Sequence, residues 1–387
     1  RVVEYLSAIE TNAGKHARKA ASDNGAAFFI PLMLNKVNMK NPFLKGLLNL
    51  SLFSFLVVLL SAMSCKKTTT PDPAPPTPTT SIIKGADISW LTEMESAGRK
   101  FYNSSGTEQD CIQILKNIGM NAVRLRVWVN PAGGWNGTAD VVAKALRAKN
   151  LGMKIMIDFH YSDSWADPGQ QTKPAAWAAL DFTSLKNSVY THTYDLLTSL
   201  KNSGITPEWV QVGNETNDGM LWPDGKASTN MANFAALVNK GYDAVKAVDA
   251  NIKVIVHISN GHDNSLFRWI FDGLKNNGGK WDIIGMSLYP EVSTWSAMNT
   301  QCLSNINDMI ARYDKPVMIT EVGMSWDQAA ACQSFIADLI NKVKSVANSK
   351  GLGVFYWEPQ SYNGWKGYTK GAFDNSGRPT SALNAFN

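Results

Sequence analysis

Two glutamates stand at the C-terminal ends of segments that read as β-strands. Glu215 closes the run Trp-Val-Gln-Val-Gly-Asn-Glu from Trp209, and Glu321 lies in Pro-Val-Met-Ile-Thr-Glu-Val from Pro316. Two carboxyl groups on separate rigid strands can divide the labour of glycoside hydrolysis, one protonating the leaving oxygen while the other attacks the anomeric carbon. That is the chemistry of a retaining glycosidase. An isolated Asn-Glu is usually a solvated turn, so the pair gains meaning only from the elements that carry it.

Beyond residue 82 one pattern repeats: a short apolar segment rich in Val, Ile and aromatics, a polar loop, then a longer amphipathic stretch. Eight such segments start at Lys84, Ala122, Lys154, Trp209, Lys253, Ile283, Pro316 and Gly353. The intervals hold crossover helices, read at 107–119, 139–152 and 232–248, the first two of which end at Gly. Strand and helix alternating over about 300 residues imply parallel strands, and eight units predict a (β/α)8 TIM barrel, α/β in class, as a single catalytic domain over 83–387. In such a barrel the strand ends and the loops after them converge on one face. Glu215 then falls on the fourth strand and Glu321 on the seventh. No Gly-x-Gly-x-x-Gly follows the first strand and no P-loop occurs, so nucleotide binding has no support and no cofactor is expected.

The other strand ends are polar and aromatic: Asp87 and Trp90, Arg124 and Arg126, Asp158 and His160, Asn214, His257 and Asn260, Tyr289, Trp357 and Glu358. Strand interiors hold few unpaired ionisable groups, because an isolated buried charge costs several kcal/mol. Their concentration at the ends argues for a site. Trp357 is the best candidate for a sugar-stacking platform. Trp165 and Trp222 lie in loops and either line the cleft or pack in the core. Arg124 has two readings, a donor to a catalytic carboxylate or a structural ion-pair partner; the second suits Arg126 better. His160 is either a site residue or a satisfied core histidine.

The 387 residues are 44% hydrophobic, ample for a core. Residues 1–67 carry nine Lys and Arg against three acidic residues, a net +6, which leaves 28 against 29, or −1, for everything after. The basic balance belongs to the leader, which argues against nucleic acid as a partner and suits an uncharged substrate. From Met39 a basic stretch, about 14 apolar residues (47–60) and Ser-Ala-Met-Ser before Cys65 read as a signal peptide, too short to span a bilayer. Its ending resembles a bacterial lipobox, which makes Cys65 a candidate lipidated first residue; an ordinary cleavage site is the alternative. Residues 1–38 precede this start and read as an upstream extension, and 66–82 form a Pro/Thr-rich linker. The expected location is the cell envelope, held to the membrane only through the lipid, or otherwise free secretion. Cys111, Cys302 and Cys332 show no zinc spacing; Cys302 with Cys332 is a candidate disulfide, and buried free thiols are the alternative.

The run Asp-Phe-His-Tyr-Ser-Asp-Ser-Trp-Ala-Asp-Pro-Gly-Gln-Gln (158–171), with 124–134, 213–225 and Phe-Tyr-Trp-Glu-Pro (355–359), resembles the family 53 endo-β-1,4-galactanases, barrels of glycosidase clan A. The likeness spans 83–387, and the Asp158 run is its most diagnostic part. It implies that Glu215 is the general acid/base and Glu321 the nucleophile, their carboxyls about 5–5.5 Å apart. It further implies Arg124 and His160 as groups that orient Glu321, Asn214 as a partner of the sugar 2-hydroxyl, and Tyr289 as a contact of the nucleophile. Asp158, Trp165, Trp222, Asn260 and Trp357 complete the expected substrate-binding set. The chain departs from the family pattern after 355–359, where it has Gln-Ser-Tyr-Asn-Gly-Trp-Lys-Gly-Tyr, so distal sugar subsites are not carried over. Some relatives bind calcium near the last loops, where Asp327 and Asp374 lie; nothing like an EF-hand supports it, and no metal is expected. The implied activity is endo-acting hydrolysis of β-1,4-galactan side chains of pectin by a monomer. Another clan A enzyme acting on xylan, mannan or cellulose, or a non-catalytic glycan-binding barrel, are the alternatives.

Overall fold

The computed structural model describes residues 82–387. The extension 1–38, the signal-like segment with Cys65 and the linker up to residue 81 lie outside the described residues. Eight parallel strands close into a barrel in chain order: β1 (Ile83–Asp87), β2 (Ala122–Val127), β3 (Lys154–Phe159), β4 (Trp209–Val212), β5 (Lys253–Ile258), β6 (Ile283–Leu288), β7 (Val317–Val322) and β8 (Gly351–Trp357). Each starts within two residues of its expected position. Eight α-helices lie between or beside them: α1 (Leu91–Ser96), α2 (Cys111–Asn117), α3 (Thr138–Asn150), α4 (Phe182–Asn202), α5 (Ala227–Val248), α6 (Asn264–Asn276), α7 (Trp295–Tyr313) and α8 (Ala329–Lys344).

Helix ends differ from the expectation for local reasons. The helix expected over 107–119 is only α2, because Tyr102 and Glu108 pair as an antiparallel bridge and the Asp110 side chain then caps Gln113 N–H. Conversely, α5 begins five residues before the expected Ala232, with a break at Asn230 (φ −152°) whose Oδ1 accepts from Asn233 N–H and restarts the helix. Gly119 and Gly152 take φ of 108° and 69°, the left-handed conformation that ends a helix without a Cβ clash.

The barrel interior is built in layers. Its floor is apolar, with Ile83, Ala122, Met156, Trp209, Ile255, Ile283, Met318 and Phe355 contributed one from each strand. Above it Gly85 faces Phe355, and a Cβ there would fall 2.2 Å from the ring. The outward positions, such as Val123, Leu125, Ile157, Val210, Val256, Ile284 and Ile319, are fully buried in the main core. Each such side chain contributes about 1.5–3 kcal/mol of burial. The β6–β7 register slips by one residue after Met286, so that Ser287 lies opposite Glu321 rather than Thr320. At the floor the Lys84 ammonium donates to the backbone carbonyls of Phe386 and Asn387 at 2.7 Å each. The first strand and the chain's last residues thus meet on the face opposite the strand C-termini. Cys111, Cys302 and Cys332 are free and buried, so the candidate Cys302–Cys332 disulfide is not formed. No helix among the described residues is long and apolar enough to cross a membrane.

Candidate active site

A cavity of about 480 Å³ opens where the strands end, lined by both glutamates with His160, Trp165, Asn214, Asn260, Tyr289, Trp357, Tyr368 and Lys370. A larger hollow, about 560 Å³, lies beside α2 and the C-terminal turn, but no acidic or basic side chain lines it. Chemistry therefore belongs to the first.

Beneath this cavity one guanidinium organises three carboxylates. Arg124, fully buried on β2, lies 2.8 Å from Asp87, 2.9 Å from Asp158 and 2.9 Å from Glu321. It also donates to Asn214 Oδ1 at 2.9 Å and to Gln211 Oε1 at 3.1 Å. Such a charge is tolerable inside a barrel only because it is surrounded by opposite charge and hydrogen-bond acceptors. Arg124 is both of the things the sequence left open, a structural ion-pair partner and a donor to Glu321.

The two glutamates sit in different company. Glu321 receives Arg124 and the Tyr289 hydroxyl, which donates to Oε2 at 2.8 Å. Glu215 receives the Ser287 hydroxyl at 2.7 Å and has no cation against it. Burial pushes the Glu215 carboxyl up to about 7, against the pull of Ser287 and of Arg124. Burial raises Glu321 too, to about 8, with Glu215 and Asp158 adding to the rise, while Arg124 and Tyr289 pull it back. The carboxyls titrate as a coupled pair. The geometry separates the two: a cation and a hydroxyl donor at Glu321 favour negative charge there, and Glu215 has the Ser287 hydroxyl alone.

Four non-glycine residues at or just beyond strand ends, Tyr161, Glu215, Asn260 and Glu358, have φ between 43° and 55°. This left-handed backbone is costly for such residues and clusters where side chains must be aimed. It turns Glu215 and Asn260 into the cavity at the ends of β4 and β5. A wall of aromatic rings closes one side: Trp357 lies 5.2 Å from Trp90, 6.0 Å from Trp165 and 4.7 Å from Tyr368, centroid to centroid. Behind it the Arg126 guanidinium is 4.3 Å from the Trp165 ring and 3.4 Å from Glu358.

The residue-83-to-386 span matches the family described as Glycosyl hydrolase family 53. The chain belongs to glycosyl hydrolase family 53. Among similar proteins, an arabinogalactan endo-β-1,4-galactanase of Thermothelomyces thermophilus is 34% identical over 328 residues, 78% of this chain and 98% of its own. One of Humicola insolens is 35% identical over 300 residues, 71% of this chain and 89% of its own. The solved catalytic domain of the Ignisphaera aggregans family 53 protein superposes with a TM-score of 0.73 at 32% identity, over 81% of this chain and 98% of that one.

The structure gathers most of the expected residues and places His160, Trp222 and Asp158 otherwise than expected. His160 does not reach Glu321: its Nε2 is 3.1 Å from Asp158, and its Nδ1 accepts from Ala166 N–H at 3.2 Å. Burial lowers its pKa, so it is a neutral imidazole lining the cavity and bonded to Asp158. Trp222 is not among the residues that line the cavity; its Nε1 donates to the Asp218 carbonyl and its ring lies under the Lys226 ammonium. Glu358, at the end of β8, is fully buried and bonded to Trp90 N–H, Arg126 and Gln360 outside the cavity lining. Asp158 lies below the cavity, fully buried against Arg124, His160 and Gln211. Sequence reasoning missed Gln211 and Ser287, whose only signal is a polar residue in an otherwise apolar strand, and Tyr368 and Lys370, which come from a long loop. Among the described residues no group of three or more His, Cys, Asp and Glu is arranged to hold a metal.

Proposed function

We propose that this domain is a retaining endo-β-1,4-galactanase acting on (arabino)galactan, with Glu215 as general acid/base and Glu321 as nucleophile. The unequal surroundings of the two carboxyls carry this reading: Arg124 and Tyr289 stabilise negative charge on Glu321, and Glu215 keeps its proton. The Glu321 carboxylate attacks the anomeric carbon while the bond to the leaving oxygen breaks and that oxygen takes the Glu215 proton. Water then attacks the galactosyl ester, giving its proton to Glu215 and releasing Glu321, so one bond and one water yield two chain ends with configuration retained. Asn214 keeps one amide hydrogen beyond that given to the Ala166 carbonyl, available to a sugar 2-hydroxyl. Trp357 and Trp165 offer apolar faces to galactose rings. The galactan preference is supported by the names of the relatives above.

The test is hydrolysis of linear β-1,4-galactan by Glu215→Gln and Glu321→Gln, each expected to lose several orders of magnitude in kcat while still binding the polymer. Full turnover by either would falsify the assignment. NMR of the first product formed should show the β-anomer, as a double displacement requires; the α-anomer would point to inversion. Higher kcat/KM on xylan, mannan or cellulose would move the substrate elsewhere in the clan. We place residues 39–65 as a signal ending in a lipidated Cys65 on an exported monomer, with 66–82 as linker and 1–38 as an upstream extension. Mass spectrometry of the mature N-terminus and light scattering check these points.

A further inference from the structure

One circuit of hydrogen bonds begins and ends on Glu215. Its backbone N–H donates to His257 Nδ1 at 3.3 Å, and the Gln211 amide nitrogen at 3.0 Å and Asn214 Oδ1 at 3.1 Å lie against the same ring nitrogen. The Glu215 N–H can only donate, which makes Nδ1 its acceptor, while Asn214 Oδ1 takes its hydrogens from Arg124 at 2.9 Å and Gln211 at 3.2 Å, so the proton of a neutral imidazole lies on Nε2. Burial, with Arg124 and His160 adding to it, holds His257 far below its ordinary range and hence neutral. Nε2 lies 2.6 Å from Ser287 Oγ, and Ser287 Oγ lies 2.7 Å from Glu215 Oε1. Donation therefore runs in one direction, from Nε2–H to Oγ and from Oγ–H to Oε1. The circuit is also anchored: Thr216 N–H and Oγ1 both donate to the His257 carbonyl, at 2.9 and 3.1 Å. His257 and Ser287 are 0% and 1% exposed, and both sit at the ends of neighbouring strands, β5 and β6.

We propose that Ser287, oriented by His257, is a positioning residue for the acid/base: it occupies Oε1 as an acceptor and thereby places the transferable proton of Glu215 on Oε2. A carboxyl free to rotate would share its proton between two oxygens, one of them turned into the barrel wall. The Ser287 bond fixes which oxygen meets the leaving group, and His257 fixes Ser287 as a donor. The same imidazole holds the left-handed Glu215 backbone (φ 43°) by its N–H, so main chain and carboxyl are locked together. The inference rests on reading Glu215 as the acid/base.

The experiment compares Ser287→Ala with the unmodified chain on two substrates, linear galactan and a dinitrophenyl β-galactobioside whose leaving group needs no proton. On galactan, kcat/KM should fall about 10- to 100-fold, part of what a general acid supplies. On the dinitrophenyl substrate it should change less than about threefold, since acid assistance is absent there. The groups facing Glu215 are Ser287 and His257 from β6 and β5, Arg124 and Asp158 from β2 and β3, Asp167 from the loop after β3, Tyr289 after β6, and Glu321 from β7. Of these only the Ser287 donor is removed, and loss of a bond to the ionised form raises the acid's pKa. The alkaline limb of the galactan kcat/KM profile should therefore move up by about one pH unit. Ser287→Thr, which keeps the hydroxyl, should restore both readouts; Ser287→Cys, which fills the same space with a weaker donor, should show the shift even if the alanine variant does not fold. Equal losses on both substrates with an unshifted limb, or no loss at all, overturn the proposal. Glu215→Ala keeps the premise separate: azide should rescue its turnover of the dinitrophenyl substrate as a β-galactosyl azide. Without that rescue the premise fails; with rescue and a silent Ser287→Ala, only the Ser287 role fails.

Discussion

At Arg124 a single guanidinium faces Asp87, Asp158 and Glu321, all within 2.9 Å, so the neighbourhood is short of positive charge even before Glu215 is counted. That shortage keeps a proton in the site near neutral pH. A carboxyl whose folded pKa is raised to about 7 binds its proton more tightly folded than unfolded. Its stabilising effect is complete below the ordinary carboxyl range and is lost as pH rises through about 7. On the proposed mechanism activity needs Glu215 protonated, and it should fall along the same alkaline limb. Glu215→Gln should accordingly melt higher than the unmodified chain at pH 8 and at nearly the same temperature at pH 5, by calorimetry. A melting difference that does not vary with pH would refute the linkage. Tyr289→Phe removes one of the two donors that hold the charge on Glu321. It should lower kcat by about 10- to 100-fold with little change in KM, because on the proposed mechanism the lost bond serves an ionised nucleophile rather than the sugar. Azide should rescue Glu321→Gly to an α-galactosyl azide, the configuration opposite to that expected at Glu215.

The strands carried most of what could be read without coordinates. Parallel strands buried on both faces read as short Val- and Ile-rich runs, so all eight starts lay within two residues, and with them the positions of Glu215, Glu321, Arg124 and Tyr289. What resisted reading was decided by contacts between elements. The slip between β6 and β7, which sets Ser287 beside Glu321, leaves no mark in Ile-Ile-Gly-Met-Ser-Leu. Trp222 and Trp165 looked alike as loop tryptophans, and only the packing of Lys226 and Asp218 against the one, and of Arg126 against the other, separates them. The family likeness implies His160 as a partner of Glu321, but Arg124 and Tyr289 already occupy that carboxyl. Gly85 offers a test at this scale. A methyl group there meets the Phe355 ring, so Gly85→Ala should destabilise the barrel by about 1–3 kcal/mol in urea denaturation. A neutral result would mean that Phe355 has room to move.

For the whole molecule, residues 68 to the C-terminus carry 28 basic and 29 acidic side chains, so no long-range field steers substrate to the cleft. Galactan turnover should hardly vary between low and physiological ionic strength, and a steep salt dependence would contradict this. The rim of the cleft was the least legible part, because Tyr368 and Lys370 reach it from a loop whose course depends on the finished barrel. The floor has the opposite character. Lys84 ties the first strand to the carbonyls of Phe386 and Asn387, so both ends of the described chain leave from the side remote from the glutamates. A hold taken at residue 82 or at residue 387 therefore leaves the mouth clear, and a long polymer can lie across it unobstructed. Beads coupled through residue 82 or through residue 387 should digest galactan at matching rates, whereas coupling through an exposed rim position such as Trp326 should slow digestion of the polymer more than of a short oligomer.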